Sequence, residues 1–232
     1  MKYRIISNDP IVLSDCNIAV ATILQAVINT NQTICNIIDS TSKLSLDLFD
    51  AVDFRNLSGV IGELFATELA ELEGNLQRNP HFHGYPDLIQ VSTAEMQEYA
   101  RSTELRRFVH YPYGGVEVKN TFGSKKQKVE LFKGDTRIDG INKKLDWKAH
   151  HRETNYLLGL FSEYIDGVPC IAAVFFSDQL SEEDWNEKQE PDEDSAMTSF
   201  TAIGRTGFQK MRDGMRVCLD DEKYLRFFGV EG

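Results

Sequence analysis

Two nearly continuous apolar runs, NYLLGLFSEYI (155–165) and VPCIAAVFFS (168–177), stand on either side of Asp166-Gly167. Asp-Gly is a favoured pair for the tight turn of a β-hairpin. A strand with one wet face alternates apolar and polar residues, whereas a strand covered on both faces is apolar almost throughout. The two runs therefore predict adjacent strands deep inside a sheet, with a layer of other elements on each side. Helices can supply those layers. Residues 15–30 carry apolar side chains at helical spacing, with Ser14 or Asp15 placed to cap the start. Residues 53–73 give a stronger stripe through Leu57, Val60, Ile61, Leu64, Phe65, Leu69 and Leu72. Asp53 or Asn56 can cap this second helix, and Gly74 lies just past its end. Gly59 and Gly62 sit within it, and each costs roughly 1 kcal/mol against alanine, a cost that close approach of another backbone would justify.

Between these features, DLIQV (87–91) and GVEVKNTF (115–122) read as strands, and residues 93–108 as a helix capped by Thr93. KVELF (128–132) reads as a further strand, 181–195 as an acidic exposed loop, and 200–228 as one or two helices interrupted by Gly204, Gly207 and Gly214. The order predicts an α/β fold with a central mixed β-sheet flanked by α-helices, in a single domain over 1–232.

The net charge of −11 argues at first against a nucleic-acid partner. Its distribution reverses that reading. Residues 101–152 hold 13 Lys and Arg against 6 acids, so an acidic body carries one basic stretch. No apolar run nears the roughly 18 residues that span a bilayer, so no membrane partner is expected. The N-terminus, MKYRIISNDPIVLSD, lacks the apolar segment of a signal peptide, and a cytoplasmic location is expected. The four cysteines show no metal-ligand spacing and read as buried thiols. Neither a GxSxG nor a GxxxxGK[ST] motif occurs, which removes serine-hydrolase and P-loop readings.

Glu117 and Lys119 are two residues apart in a predicted strand, so their side chains share one face. Asp87 opens the preceding strand after Pro86. If the two strands are neighbours, Asp87 and Glu117 can share one divalent ion. Mg²⁺ prefers oxygen ligands and keeps several waters, so two carboxylates, a phosphate oxygen and waters would satisfy it. Lys119 can then help activate water or offset charge developing on a phosphate.

Pro86-Asp87 followed, thirty residues after the aspartate, by Glu117-Val118-Lys119 resembles the PD-(D/E)xK signature of the restriction-endonuclease superfamily. YPYGGVEVKNTFG resembles the entry to the catalytic strand of type II restriction endonucleases. The resemblance spans about residues 55–176 and implies a restriction-endonuclease-like core. It implies Mg²⁺-dependent hydrolysis of phosphodiesters at a specific short sequence of double-stranded DNA. Asp87 and Glu117 take the place of the metal-binding acids and Lys119 that of the catalytic lysine. Glu63, on the Gly59–Glu63 helix segment, takes a looser place near the metal. A homodimer would match a palindromic site, and a cognate DNA methyltransferase is expected as a genetic partner in a prokaryote. Two alternatives stand beside this one: a repair or structure-specific nuclease of the same superfamily, and a non-catalytic DNA-binding module. Candidate DNA contacts are Asn120, the turn lysines Lys125, Lys126 and Lys128, the polar segment Lys148, His150, His151 and Arg152, and Arg205.

Overall fold

A computed structural model describes residues 1–46, 48–81, 84–102, 110–122, 145–150, 152–190 and 199–230. In chain order its strands are β1 (Tyr3–Ile5), β2 (Ile11–Val12), β3 (Asn17–Ile18), β4 (Leu76–Arg78), β5 (Leu88–Gln90), β6 (Gly115–Thr121), β7 (Lys148–Ala149), β8 (Leu157–Ile165), β9 (Val168–Ser177), β10 (Thr201–Ala202) and β11 (Met215–Leu219). The helices are α1 (Val20–Ser42), α2 (Leu48–Ala51), α3 (Phe54–Leu72), α4 (Ala94–Ser102), α5 (Arg205–Asp213) and α6 (Glu222–Phe228).

The 155–177 segment forms the predicted hairpin. Asp166 and Gly167 have φ of 51° and 80°, as a turn with two left-handed residues requires. β8 and β9 are buried along nearly their whole length. They sit inside a seven-stranded sheet of order β1-β11-β9-β8-β6-β5-β4. Only β6 and β8 pair in parallel, and the other pairings are antiparallel. The parallel pair β6 and β8 cannot be joined by a tight hairpin turn and needs a longer connection.

Helices cover both faces, which is why β8 and β9 need no polar face. On one side Ile23 and Val27 of α1 and Ile61 and Phe65 of α3 pack on Val116, Val118, Leu158 and Val174. On the other, Trp147, Met211 and Phe228 pack on Phe161 and Phe175. The Trp147 and Phe175 rings meet edge to face at 5.3 Å. Each such fully buried aliphatic or phenyl side chain contributes roughly 1.5–3 kcal/mol. The architecture is mixed α/β, a mostly antiparallel central sheet flanked by helices.

α3 starts where its cap predicts. The Asp53 carboxylate accepts from the N–H groups of Arg55 and Asn56 at 2.8 and 2.9 Å. Of its two glycines, Gly62 meets the sheet: a Cβ there would lie 3.8 Å from Asn120 Cβ. α4 begins at Thr93, whose hydroxyl accepts from the Met96 N–H at 3.2 Å.

Elsewhere the structure departs from the sequence reading. The first helix begins at Val20 rather than near Asp15, because Asn17–Ile18 pairs with Ile11–Val12. It then runs on to Ser42. Residues 200–228 hold two strands as well as two helices. β11 lies between α5 and α6 and joins the central sheet beside β9. β1, from the first residues of the chain, pairs with β11 at the edge. The sheet thus extends well beyond the 55–176 segment. Within the acidic 181–195 loop, Asp184 and Trp185 are buried rather than exposed, and Asp184 binds Lys210 at 2.6 Å. The expected strand at 128–132 lies outside the described residues, as does most of the basic stretch. Among the described residues, no helix is long and apolar enough to cross a membrane.

Candidate active site

β5 and β6 pair through Leu88↔Val116 and Ile89↔Gly115, and beyond that point they part. Asp87 stands at the fork. Its Oδ2 accepts from the Val118 N–H at 2.9 Å, a donor that a continued ladder would otherwise have satisfied. In return, Glu117 Oε2 accepts from the Asp87 N–H at 3.1 Å. Each acid thus satisfies a backbone donor of the other strand. Lys119 completes the cluster by donating to Asp87 Oδ2 at 3.0 Å and to Glu117 Oε1. The alternation of β6 sends Val116 and Val118 toward α1 and α3 and sends Glu117 and Lys119 to the other face.

Burial is uneven. The Glu117 side chain is 8% exposed, that of Lys119 21% and that of Asp87 29%. Burial pushes the Glu117 carboxyl up to about 7; the Asp87 charge adds to this, and Lys119 opposes it. Burial alone would pull the Lys119 ammonium down, but the carboxylates of Glu117 and Asp87 outweigh it and hold the ammonium above the usual lysine range. Lys119 therefore stays charged at neutral pH. When both acids are ionised the cluster carries one excess negative charge in a poorly solvated place. A cation bound there would relieve it.

Beside the cluster opens a cavity of about 600 Å³. Asp87, Lys119 and Asn120 line one part of it, and Arg55, Gly59 and Glu63 of α3 line another. A Cβ at Gly59 would meet nothing within 4 Å, so this glycine borders open space rather than packing. Asp146 and Lys148 also reach the cavity. Glu63 is on its wall, but its carboxylate is ion-paired with Arg78, which also donates to the Thr67 hydroxyl at 2.8 Å. Among the described residues, no three His, Cys, Asp or Glu side chains converge as a metal-ligand set. A cation held here would have the Asp87 and Glu117 carboxylates to bind, both of them paired with Lys119. That fits Mg²⁺, which accepts two carboxylates and fills its remaining positions with water and phosphate oxygens.

The expected DNA contacts divide. Lys148 lines the cavity, and its ammonium lies 4.3 Å from the centre of the Phe200 ring. Asn120 also lines it, but its amide ties strand to helix: Nδ2 donates to Ser58 O at 3.1 Å, and Oδ1 accepts from the Ser162 hydroxyl at 2.7 Å. His150 is exposed, with Nδ1 3.3 Å from Ser199 O. Arg152 donates to Glu182 O at 2.8 Å. Arg205 is the exposed first residue of α5. Lys125, Lys126, Lys128 and His151 lie outside the described residues.

Three residues at the site carried no sequence signal strong enough to single them out. Arg55 and Asp146 reach the cavity from separate elements, and only the tertiary fold brings them together. Tyr85 precedes Pro86, and burial raises its hydroxyl to about 12, with the Glu117 charge adding to the effect. Comparisons with protein-family models, curated proteins and solved structures found no match for this chain.

Proposed function

We propose that the chain is a Mg²⁺-dependent DNA endonuclease of type II restriction character, with a restriction-endonuclease-like core. The observation that carries this reading is the fork of β5 and β6, where Asp87, Glu117 and Lys119 share hydrogen bonds at the rim of a cavity. Asp87 and Glu117 would hold the ion, and Mg²⁺ when bound would supply Lewis-acid polarisation of the phosphoryl group and acidification of a bound water. Lys119, whose ammonium is held charged by the two acids, would offset the charge building on the phosphate being cut. Lys148 and Arg55, on separate elements at the same cavity, would grip the flanking phosphates. A two-fold recognition site would call for a homodimer, and a methyltransferase protecting the same site would be its genetic partner.

The test is to incubate the pure protein with unmethylated phage DNA and Mg²⁺ and to sequence the fragment ends. Uniform ends at one short sequence are the expected result. Nicks placed by DNA structure rather than by sequence would favour a repair nuclease. Tight binding without cutting would favour a DNA-binding module. Lys119→Ala should reduce cutting by at least about 10²-fold, the scale of a lost transition-state electrostatic partner. Undiminished cutting by that variant would remove Lys119 from the site.

A further inference from the structure

A second cavity, of about 530 Å³, lies on the other side of the Pro86–Asp87 step. Pro86 lines this one and Asp87 lines the first. Consecutive Cα atoms are about 3.8 Å apart, so the two linings meet at adjacent residues of one chain. Tyr85, Tyr111, Tyr113 and Tyr156 contribute walls, together with His110 and Met96. The His110 ring meets that of Tyr85 edge-on at 4.9 Å. Tyr113 is fixed by its hydroxyl on Glu95 at 3.0 Å and by ring contacts with Tyr99 and Tyr111. The aromatic surface is thus preorganised.

The polar groups at this cavity select against anions. Among the described residues no Lys or Arg lines it, and Asp15 does. Gln90, itself fully buried, orients that carboxylate by donating to Asp15 Oδ2 at 3.1 Å and to the Ser14 hydroxyl at 3.0 Å. Gly114 and Gly115 leave bare backbone on another part of the wall. A phosphate would be repelled here. A flat, neutral ring with an amino edge would stack on tyrosine and donate to Asp15.

We propose that this chamber receives one nucleobase, turned out of its stack, from the strand whose phosphodiester lies at Asp87, and that it prefers a base with an exocyclic amino group, adenine, cytosine or guanine, over thymine. Assigning that strand rests on the nuclease reading above. Adenine, cytosine and guanine each carry an exocyclic amino donor, which thymine lacks. The phosphate and base of a nucleotide are joined through one sugar, and the two chambers flank one residue step in the same order. Among the described residues, Lys and Arg line the first cavity and not the second.

The test uses nucleosides, which carry no phosphate and need no metal. The protein is titrated with deoxyadenosine, deoxycytidine, thymidine and deoxyribose, and tyrosine ring signals are followed by NMR. Deoxyadenosine and deoxycytidine should bind about tenfold more tightly than thymidine, the scale of one well-placed base-edge contact. Asp15→Asn should erase that preference, and Tyr113→Ala should weaken all three nucleosides by about tenfold through lost stacking. Circular dichroism checks that both variants fold. The proposal fails if nucleosides bind no better than deoxyribose, or if Asp15→Asn leaves the preference intact in a folded protein. The two readings separate cleanly. Nucleoside binding without any DNA cleavage keeps the chamber and removes the nuclease. Cleavage without nucleoside binding removes the chamber alone.

Discussion

Replacing Glu117 by glutamine should stabilise the metal-free protein at alkaline pH and leave it nearly unchanged in acid. Glutamine has the shape of the protonated acid, and its single amide oxygen can keep one of the two bonds, that from Lys119 or that from the Asp87 N–H. Glu117 has an ordinary value of 4.5, and its folded value is raised to about 7, chiefly by burial. A raised carboxyl value means that the folded state holds the proton more tightly than the unfolded chain does. Its contribution is present in full below about pH 4.5, falls as pH rises, and is lost once pH passes about 7. At roughly 1.4 kcal/mol per tenfold change in proton affinity, the loss amounts to about 3 kcal/mol. For a chain of this length, each kcal/mol moves Tm by about 2–4 °C. Glu117→Gln should therefore melt roughly 6–12 °C higher than the parent at pH 8 in EDTA, with little difference at pH 4. Scanning calorimetry at the two pH values decides the matter. A variant that melts lower than the parent at pH 8 would refute the reasoning, because the ion pair with Lys119 would then outweigh the cost of burial.

Gly59→Ala should raise stability by about 1 kcal/mol, since a methyl group there meets nothing within 4 Å and alanine is the better helix former; denaturant unfolding measures it. Gly159→Ala should act in the opposite direction. Its Cβ would lie 2.7 Å from both Met211 Cε and Trp147 Cε2, and overpacking of that kind costs about 1–3 kcal/mol. Because Gly159 stands opposite Lys119 in the β6–β8 ladder, comparing melting with DNA cleavage in this variant also reports how far a shift in β8 disturbs the acids.

What could be read directly from the sequence had dense local signals. β8 and β9 declared themselves through uninterrupted apolar residues and an Asp-Gly turn, and α3 through a seven-residue stripe behind an aspartate cap. The acid–lysine cluster was legible for a related reason: strand alternation alone puts Glu117 and Lys119 on one face. β1 was not legible, because three residues carry no measurable period. β11 was hidden by its glycine-rich surroundings, and its five residues acquire strand character from pairing with β9. The start of α1 was misplaced because a two-residue ladder with Ile11–Val12 claims Asn17 and Ile18. At the site, the sequence pointed to Glu63 as a partner of the acids, but it held no sign of Arg78, fifteen residues on, which takes that carboxylate. The cavities draw their walls from elements far apart in the chain and needed the fold itself.

The edge strand β1 has a consequence for how the molecule is made. Tyr3 pairs with Leu219, so β1 waits for a partner strand that is made more than two hundred residues later. Contacts so distant along the chain form slowly, and an unpaired strand is open to wrong partners meanwhile. The fork of β5 and β6 is complete some hundred residues earlier in synthesis. Docking of β1 would then be a late step in biogenesis, after the acids and Lys119 have already been made.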